Sequence, residues 1–180
     1  MKFEVLNSET VFKGRAFSIR RDELRTPSGD TTYYDIIGHH GSVVLIPIDD
    51  EGNILFVRQY RHATETDLLE LPAGTLDGAD EPRLDCAKRE IREETGFGAK
   101  KMLKLGEFFL VPGYSTELMT VYLATELYFD PLDPDADEYL QVERIPLADA
   151  FSMAETGKIP DAKTLASLLM ARPHLGKFLK

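Results

Sequence analysis

One helical segment near the middle of the chain constrains the fold more than any other feature. Apolar residues recur there at intervals of three and four positions: Leu84, Ala87 and Ile91. This is the spacing of one apolar face of an α-helix. Pro82 suits the first turn of a helix, and Gly96 suits the position just beyond its end. The segment therefore predicts an amphipathic helix over 82–95 that stops abruptly.

The polar face of this helix carries three carboxylates. Glu90 and Glu94 are four residues apart, and Glu93 is three from Glu90, so all three point from one face. Like charges at this spacing repel, and the C-terminal end of a helix disfavours anions further. A divalent cation would offset both effects, because Mg²⁺ binds hard oxygen ligands. The alternative is a solvated face with ion pairs to the helix's own basic residues.

The rest of the chain predicts an α/β fold with a mixed sheet. Apolar, β-branched runs at 42–48 and 53–60 flank a Gly-containing turn and predict a hairpin within a core sheet. Further strands are predicted at 102–111 and 118–127, a loop at 130–137, and helices at 148–156 and 162–170. Strands first and mixed elements later indicate the α/β class.

The first forty residues predict a small antiparallel β unit. Residues 11–25 alternate loosely, 26–29 form a turn, and 31–37 are rich in β-branched and aromatic residues. Forty β-rich residues are too few to build a core alone, which favours docking against a second subunit. We therefore divide the chain into a β unit at 1–40 and a second domain at 41–180, and expect a homodimer.

Composition excludes several classes of partner. The formal net charge is −10, and a nucleic-acid binder needs a basic face, so we expect none. No apolar run approaches the roughly 18 residues of a membrane span, so we expect no membrane partner. The N-terminus lacks the apolar core of a signal peptide, and Cys86 is the single cysteine. These features together favour a cytoplasmic protein.

The segment REIREETGF at 89–97 matches the second half of the Nudix box, R-E-U-x-E-E-x-G-U with U apolar, at every fixed position. The chain thus resembles the Nudix hydrolases. The first half fits with one departure, because Gly74 precedes Glu81 by one residue more than the motif has. An insertion in the loop 75–80 explains this most simply, and Asp80 is the alternative first acid. The resemblance implies a Nudix α/β/α sandwich with a mixed sheet, beside the small N-terminal antiparallel β unit.

The resemblance implies a metal site on the predicted helix. Glu90 and Glu94 would be the principal ligands, Glu93 would bind or orient a second metal, and Ala73 would offer its backbone carbonyl. The implied cofactor is Mg²⁺, with Mn²⁺ as an alternative.

Four further residues would support these ligands, namely Arg89, Glu81, Gly74 and Gly96, and the resemblance implies a catalytic role for Arg89 and Glu93 as well. Arg89 would hold the ligand carboxylates in place and pair with Glu81. Gly74 belongs to a tight Pro/Gly turn that brings backbone close to a ligand. Gly96 would end the catalytic helix.

Beyond the box the chain resembles the ADP-ribose pyrophosphatases over nearly its whole length. The matching segments are VRQYR at 57–61, LELPAG at 69–74, Pro112 sixteen residues after Gly96, and GKIPDAKTL at 157–165. This implies hydrolysis of ADP-ribose or a related ADP-sugar to AMP and a sugar phosphate. The alternatives are hydrolysis of another nucleotide sugar such as GDP-mannose, and a nucleotide-sugar sensor without turnover.

The same resemblance implies the substrate contacts. Arg61 would bind the diphosphate with a guanidinium fork, and Glu70 and Pro112 would also lie at the substrate. In intertwined dimers of this kind the N-terminal β unit helps to bind the nucleoside. Phe17 and Tyr34 are candidate stacking surfaces for adenine, and packing in the core or dimer is the alternative for either.

Catalysis also needs a group that orients or deprotonates water. In this subgroup it is commonly a glutamate in a loop well after the box, and the segment 135–142 resembles that loop. The resemblance places the role on Glu138. Asp137 and Glu117 are the nearest competitors, and a solvated acidic loop is the alternative interpretation.

Overall fold

The computed structural model describes residues 2–14, 17–133 and 139–176. Within them the chain forms strands β1 (Glu4–Lys13), β2 (Ser18–Arg25), β3 (Thr31–Gly38), β4 (Ser42–Pro47), β5 (Asn53–Arg61), β6 (Thr66–Glu70), β7 (Ala73–Thr75), β8 (Phe97–Phe109), β9 (Leu118–Phe129) and β10 (Leu140–Pro146). The helices are α1 (Arg83–Thr95), α2 (Leu147–Glu155) and α3 (Ala162–Ala171), followed by a 3₁₀ turn at Arg172–His174. None of these helices is both long enough and apolar enough to cross a membrane.

The strands form three sheets. The first is β1-β2-β3, the second is β10-β5-β6, and the third is β7-β4-β9-β8. In the third sheet β4 runs parallel to β9, and the other pairs are antiparallel. The predicted α/β class with a mixed sheet is therefore confirmed.

Strand β4 is the centre of the core because both of its faces are buried. Val43 and Leu45 pack with Ile91 of α1 on one face of the mixed sheet. Val44 and Ile46 pack on the other face, with side chains from β5, α2 and α3. This alternation follows from the two-residue period of a strand, and it places α1 on one side of the sheet and the second sheet with the other helices on the opposite side.

The predicted hairpin of β4 and β5 is wrong beyond its turn. One bridge joins Ile48 to Ile54, and the backbone N–H of Asp49 donates to the carbonyl of Asn53 at 3.0 Å. The strands then part into different sheets, β4 beside β7 and β9, and β5 beside β6 and β10. Each apolar run is buried on both faces, so each becomes a central strand of its own sheet.

The boundaries of α1 agree with the pattern that predicted it. Pro82 occupies the N-cap position, and the helix begins at Arg83. Gly96 ends it in the left-handed region, at φ 77°, and its N–H donates to the carbonyl of Arg92. A residue with a side chain would be strained there. Strands β1, β6, β7 and β10 were not predicted, and the segment 11–25 contains a break at Gly14 that separates β1 from β2.

The first sheet stands apart from the core. All ten residues of β1 are exposed. The sheet is joined to the rest of the molecule at Ile37, whose N–H donates to Tyr114 at 2.7 Å and whose carbonyl accepts from the N–H of Thr116 at 3.0 Å. A three-stranded sheet with an uncovered face lacks a second layer in the isolated protomer.

Candidate active site

The acidic face of α1 lies against the connection from β6 to β7. Glu90 and Glu94 are 7% and 5% exposed. The backbone N–H of Ala73 donates to Oε2 of Glu94 at 2.9 Å. A Cβ placed on Gly74 would lie 1.8 Å from the carboxyl carbon of Glu90, so that carboxylate rests directly on the glycine backbone. Only glycine leaves room for this approach.

Arg89 joins two of the three carboxylates. Its Nη1 donates to Oε1 of Glu90 at 2.7 Å and to Oε2 of Glu93 at 2.9 Å. Its Nη2 donates to the carbonyl of Thr75 at 3.3 Å. Burial lowers the pKa of the guanidinium, but Glu90 and Glu93 outweigh this effect and raise the pKa above its ordinary value. Arg89 therefore stays charged and orients both carboxylates.

The loop with the extra residue also faces Arg89. Nη2 of Arg89 lies 3.5 Å from Oε1 of Glu81, so the predicted pairing of these two residues is present. Oε2 of Glu81 accepts the N–H of Asp77 at 2.7 Å, and Oδ2 of Asp77 lies 3.7 Å from Nε of Arg89. Asp80, the alternative first acid, is exposed. The geometry thus favours Glu81 as the partner of Arg89.

The residues beside Gly74 fit a hard divalent cation in their chemistry. Glu90 and Glu94 are largely buried carboxylates, and carboxylate oxygens are ligands that suit Mg²⁺ and Mn²⁺. Across 2–14, 17–133 and 139–176, however, no three histidine, cysteine, aspartate or glutamate side chains converge as a ready metal site. The guanidinium of Arg89 stands between Glu90 and Glu93 instead.

Arg61 and Glu70 form one buried ion pair. Nε and Nη2 of Arg61 donate to Oε1 and Oε2 of Glu70 at 2.8 and 2.7 Å. Glu70 is 1% exposed, whereas 40% of the Arg61 side chain is exposed. Glu70 also accepts from Nζ of Lys163, a residue to which we assigned no role from the sequence, although it lies in the segment 157–165. Any contact of Glu70 with substrate would therefore pass through Arg61.

The two candidate stacking aromatics lie in different surroundings. Phe17 is 41% exposed and its ring lies 6.1 Å from that of Phe12. Tyr34 is 43% exposed and meets Phe3 edge-on at 6.3 Å. Tyr34 lies in β3 and Phe17 immediately precedes β2, so both are outside the core.

Pro112 is exposed in the turn after β8, where Tyr114 N–H donates to Val111 at 3.2 Å. Glu117 follows this turn. Its Oε1 accepts from the hydroxyl of Ser42 at 2.7 Å and lies 3.9 Å from Nε2 of His39. Ser42 lies opposite Thr75 in the β4–β7 register, so Glu117 is close to Thr75, where the loop 75–80 begins. Glu138 and Asp137, the other candidate bases, lie outside the described residues.

Known proteins resemble this chain over most of its length. A family model described as NUDIX domain matches residues 38–168. An ADP-ribose pyrophosphatase of Bacillus subtilis (strain 168) is 34% identical over 163 residues, covering 89% of this chain and 88% of that protein. An ADP-ribose pyrophosphatase of Mycobacterium tuberculosis (strain ATCC 25618 / H37Rv) is 38% identical over 170 residues, covering 93% and 82%. A crystal structure of ADP compounds hydrolase has a TM-score of 0.86 at 28% identity, covering 98% of this chain and 96% of that one.

The matched region runs from the end of β3 into α3 and contains every element that forms the acidic site. Nudix hydrolases generally depend on a divalent metal, which agrees with the buried carboxylates of α1. The sequence, the fold and the site agree in one conclusion: the chain belongs to the NUDIX domain family.

Proposed function

We propose that this enzyme hydrolyses the diphosphate of ADP-ribose or a related ADP-sugar to AMP and a sugar phosphate, with Mg²⁺ as the cofactor. The observation that carries the proposal is the pair of buried carboxylates, Glu90 and Glu94, packed on the Ala73–Gly74 backbone with Arg61 held nearby. Relatives that share this region over most of their length are ADP-ribose pyrophosphatases.

The proposed roles of the site's side chains follow from their charges. Divalent metal, when bound, neutralises phosphate oxygens and lowers the pKa of coordinated water. Glu90, Glu93 and Glu94 would hold it, together with the carbonyl of Ala73. Arg89 would keep the glutamates oriented, with support from Glu81. Each of these roles places a hard oxygen or a fixed cation where the diphosphate needs it.

Arg61 would contact the diphosphate from the side of β5. Its guanidinium is fixed by two hydrogen bonds to Glu70, while its exposed edge still carries donors. A fixed fork suits paired phosphate oxygens, and little side-chain freedom is lost on binding. Pro112 would contact the substrate from the turn after β8.

Glu138 would orient or deprotonate the attacking water, as the sequence of its loop suggests. Glu117 remains the competitor within the described residues, but its Oε1 already accepts from Ser42. A general base must keep an acceptor for the water's proton. The contact with Ser42 engages only one oxygen of the carboxylate, so Glu117 stays a competitor for the role of base.

We also propose that two chains form a homodimer through the β unit at 1–40, leaving 41–180 as the catalytic domain. Apolar side chains crowd the exposed first strand and its neighbours: Phe3, Val5, Leu6, Val11 and Phe12. Exposed apolar patches of this kind usually mark an interface. A second copy would cover them and bring Phe17 and Tyr34 toward a nucleoside. The single buried thiol of Cys86 accords with a cytoplasmic location.

Chromatographic analysis of the nucleotide products across a substrate panel tests the proposal. The panel contains ADP-ribose, ADP-glucose, GDP-mannose, diadenosine polyphosphates and 8-oxo-dGTP, each with Mg²⁺ and with EDTA. We expect ADP-ribose to give AMP and ribose 5-phosphate, and EDTA to abolish the reaction. GDP-mannose turned over with a hundredfold higher kcat/KM would replace the proposed substrate and leave the family unchanged. Binding of a nucleotide sugar without turnover of any would indicate a sensor.

A further inference from the structure

Lys163 is a buried cation that the roles above do not explain. Its side chain is 10% exposed, and its Nζ donates both to Oε2 of Glu70 and, at 3.0 Å, to Oδ2 of Asp161. Burying an ammonium is costly unless it is paired and hydrogen-bonded. The pairing partner, Glu70, is the same carboxylate that holds Arg61. Lys163 therefore reaches the candidate phosphate-binding arginine through one intermediate residue.

The charge balance of this cluster explains why a second cation is present. Both oxygens of Glu70 accept from Arg61, and an isolated pair of that kind carries no net charge. A diphosphate approaching the exposed edge of Arg61 would then meet a guanidinium whose field is largely cancelled by Glu70. Lys163 donates to the same Oε2 of Glu70 that accepts from Arg61, and it is also paired with Asp161. The four charges therefore sum to zero, whereas without Lys163 the cluster would carry a net negative charge beside Arg61 and weaken its attraction for a diphosphate.

The electrostatics of the cluster agree with this arrangement. Burial raises the pKa of the Glu70 carboxyl, but hydrogen bonds from Arg61 and the charge of Lys163 outweigh it and hold the pKa below its ordinary value. Glu70 is thus ionised at neutral pH. The pKa of Arg61 is raised chiefly by its hydrogen bond to Glu70, against the effect of burial, and Glu94 also raises it through its charge. Arg61 consequently lies within electrostatic reach of the metal-binding face of α1.

We propose that Lys163 is a positioning residue for substrate binding: by neutralising buried Glu70, it leaves the guanidinium of Arg61 free to attract the diphosphate. The inference rests on the proposed function, because it assumes that Arg61 meets the substrate's phosphates. It assigns a role to α3, which otherwise serves the fold.

A neighbouring contact supplies the control for a purely structural role. Thr164 also ties α3 to the end of β6, because its hydroxyl accepts the N–H of Leu71 at 2.8 Å and donates to Asp161 at 2.6 Å. Thr164 is 0% exposed and carries no charge. Thr164→Val keeps the shape and removes this tie. Lys163→Met removes the tie to Glu70 together with a charge.

The experiment compares Lys163→Met, Thr164→Val, Arg61→Ala and the charge-balanced double variant Glu70→Gln/Lys163→Met in the full-length chain. We expect Lys163→Met to raise KM for ADP-ribose about tenfold with kcat nearly unchanged, because a binding interaction common to the ground and transition states is lost. Thr164→Val should lower Tm and leave KM within about twofold of wild type. Compared with Glu70→Gln alone, the double variant should change KM by less than about twofold, because the carboxylate whose charge the lysine offsets is then absent. In an Arg61→Ala background, Lys163→Met should have no further effect on KM.

Equilibrium binding of ADP-ribose in EDTA, measured by calorimetry, gives a readout without turnover. The Kd values of the variants should rank in the same order as their KM values. If Lys163→Met fails to fold, Lys163→Gln, which keeps a hydrogen-bond donor for Glu70 without the charge, takes its place in the series. An unchanged KM in Lys163→Met, an equal KM increase in Thr164→Val, or an equally large KM increase when Lys163→Met is added to Glu70→Gln would each overturn the inference. Failure of the wild type to hydrolyse ADP-ribose would instead contradict the proposed function. The series would then be run with the panel nucleotide that is turned over. If no nucleotide of the panel is bound or cleaved, both proposals are wrong.

Discussion

Gly74 offers the sharpest test of the acidic site, because its contact with Glu90 is short and local. A Cβ at this position would lie 1.8 Å from the carboxyl carbon of Glu90, and ordinary contact begins near 3.4 Å, so Gly74→Ala must displace that carbon by about 1.6 Å. The φ of Gly74 is outside the left-handed region, so alanine causes no backbone strain. The change therefore acts on the carboxylate and spares the backbone.

Gly74→Ala should have a small effect on thermal stability and a large effect on metal affinity. Moving Glu90 off its rotamer costs about 0.5–1.5 kcal/mol, whereas replacing glycine by alanine restricts the unfolded chain and stabilises by about 0.4–1 kcal/mol. These effects nearly cancel, so we expect Tm to change by less than about 4 °C. Disturbing the support of a metal ligand typically weakens metal affinity by about 10- to 100-fold, and we expect that loss here.

The assay is Mn²⁺ binding by electron paramagnetic resonance, with thermal unfolding followed by circular dichroism. Gly78→Ala is the matched control: it lies in the loop that follows β7, and a Cβ there meets nothing within 4 Å. It should leave metal affinity within about twofold of wild type. Wild-type Mn²⁺ affinity in Gly74→Ala, or an equal loss in Gly78→Ala, would refute the packing of Glu90 on Gly74 as the basis of metal binding.

Three further predictions concern the ligands, the base and the assembly. Glu94→Gln keeps the side chain's shape but removes an anionic oxygen, so calorimetry should show weaker Mg²⁺ binding and kcat should fall by several orders of magnitude. Glu138→Gln should leave Mg²⁺ affinity nearly unchanged and lower kcat by about 10²–10⁴-fold. If kcat falls instead in Glu117→Gln or Asp137→Asn, the residue replaced in that variant is the general base. Light scattering should give a mass near twice 20.3 kDa, and a fully active monomer would contradict a shared site.

The catalytic helix could be predicted from the sequence because its determinants are local. The four-residue spacing of Ala87 and Ile91 places the apolar face, and the same period puts Glu90 and Glu94 together. Gly96 ends the helix by its own backbone conformation, at φ 77°. Each of these features depends on residues within about one turn of one another, so no distant contact was needed to predict it.

Strand pairing could not be predicted in the same way. The runs that became β4 and β5 are apolar on both faces, so their pattern shows that they are buried without showing which neighbour each one has. The turn between them favoured a hairpin, yet burial of both faces is satisfied by placing them in separate sheets that enclose one core. That choice depends on β9 and β10, which follow much later in the chain.

Side-chain partnerships across long separations were decided by the tertiary structure alone. Lys163 lies 93 residues after Glu70, and nothing in the sequence connects the two. Only the packing of α3 against the end of β6 brings this cation to the carboxylate that holds Arg61. The sequence by itself determined which residues carry the charges and which face of α1 presents them. The tertiary structure decided which charges are buried together, because burial depends on elements that meet only after the chain has folded.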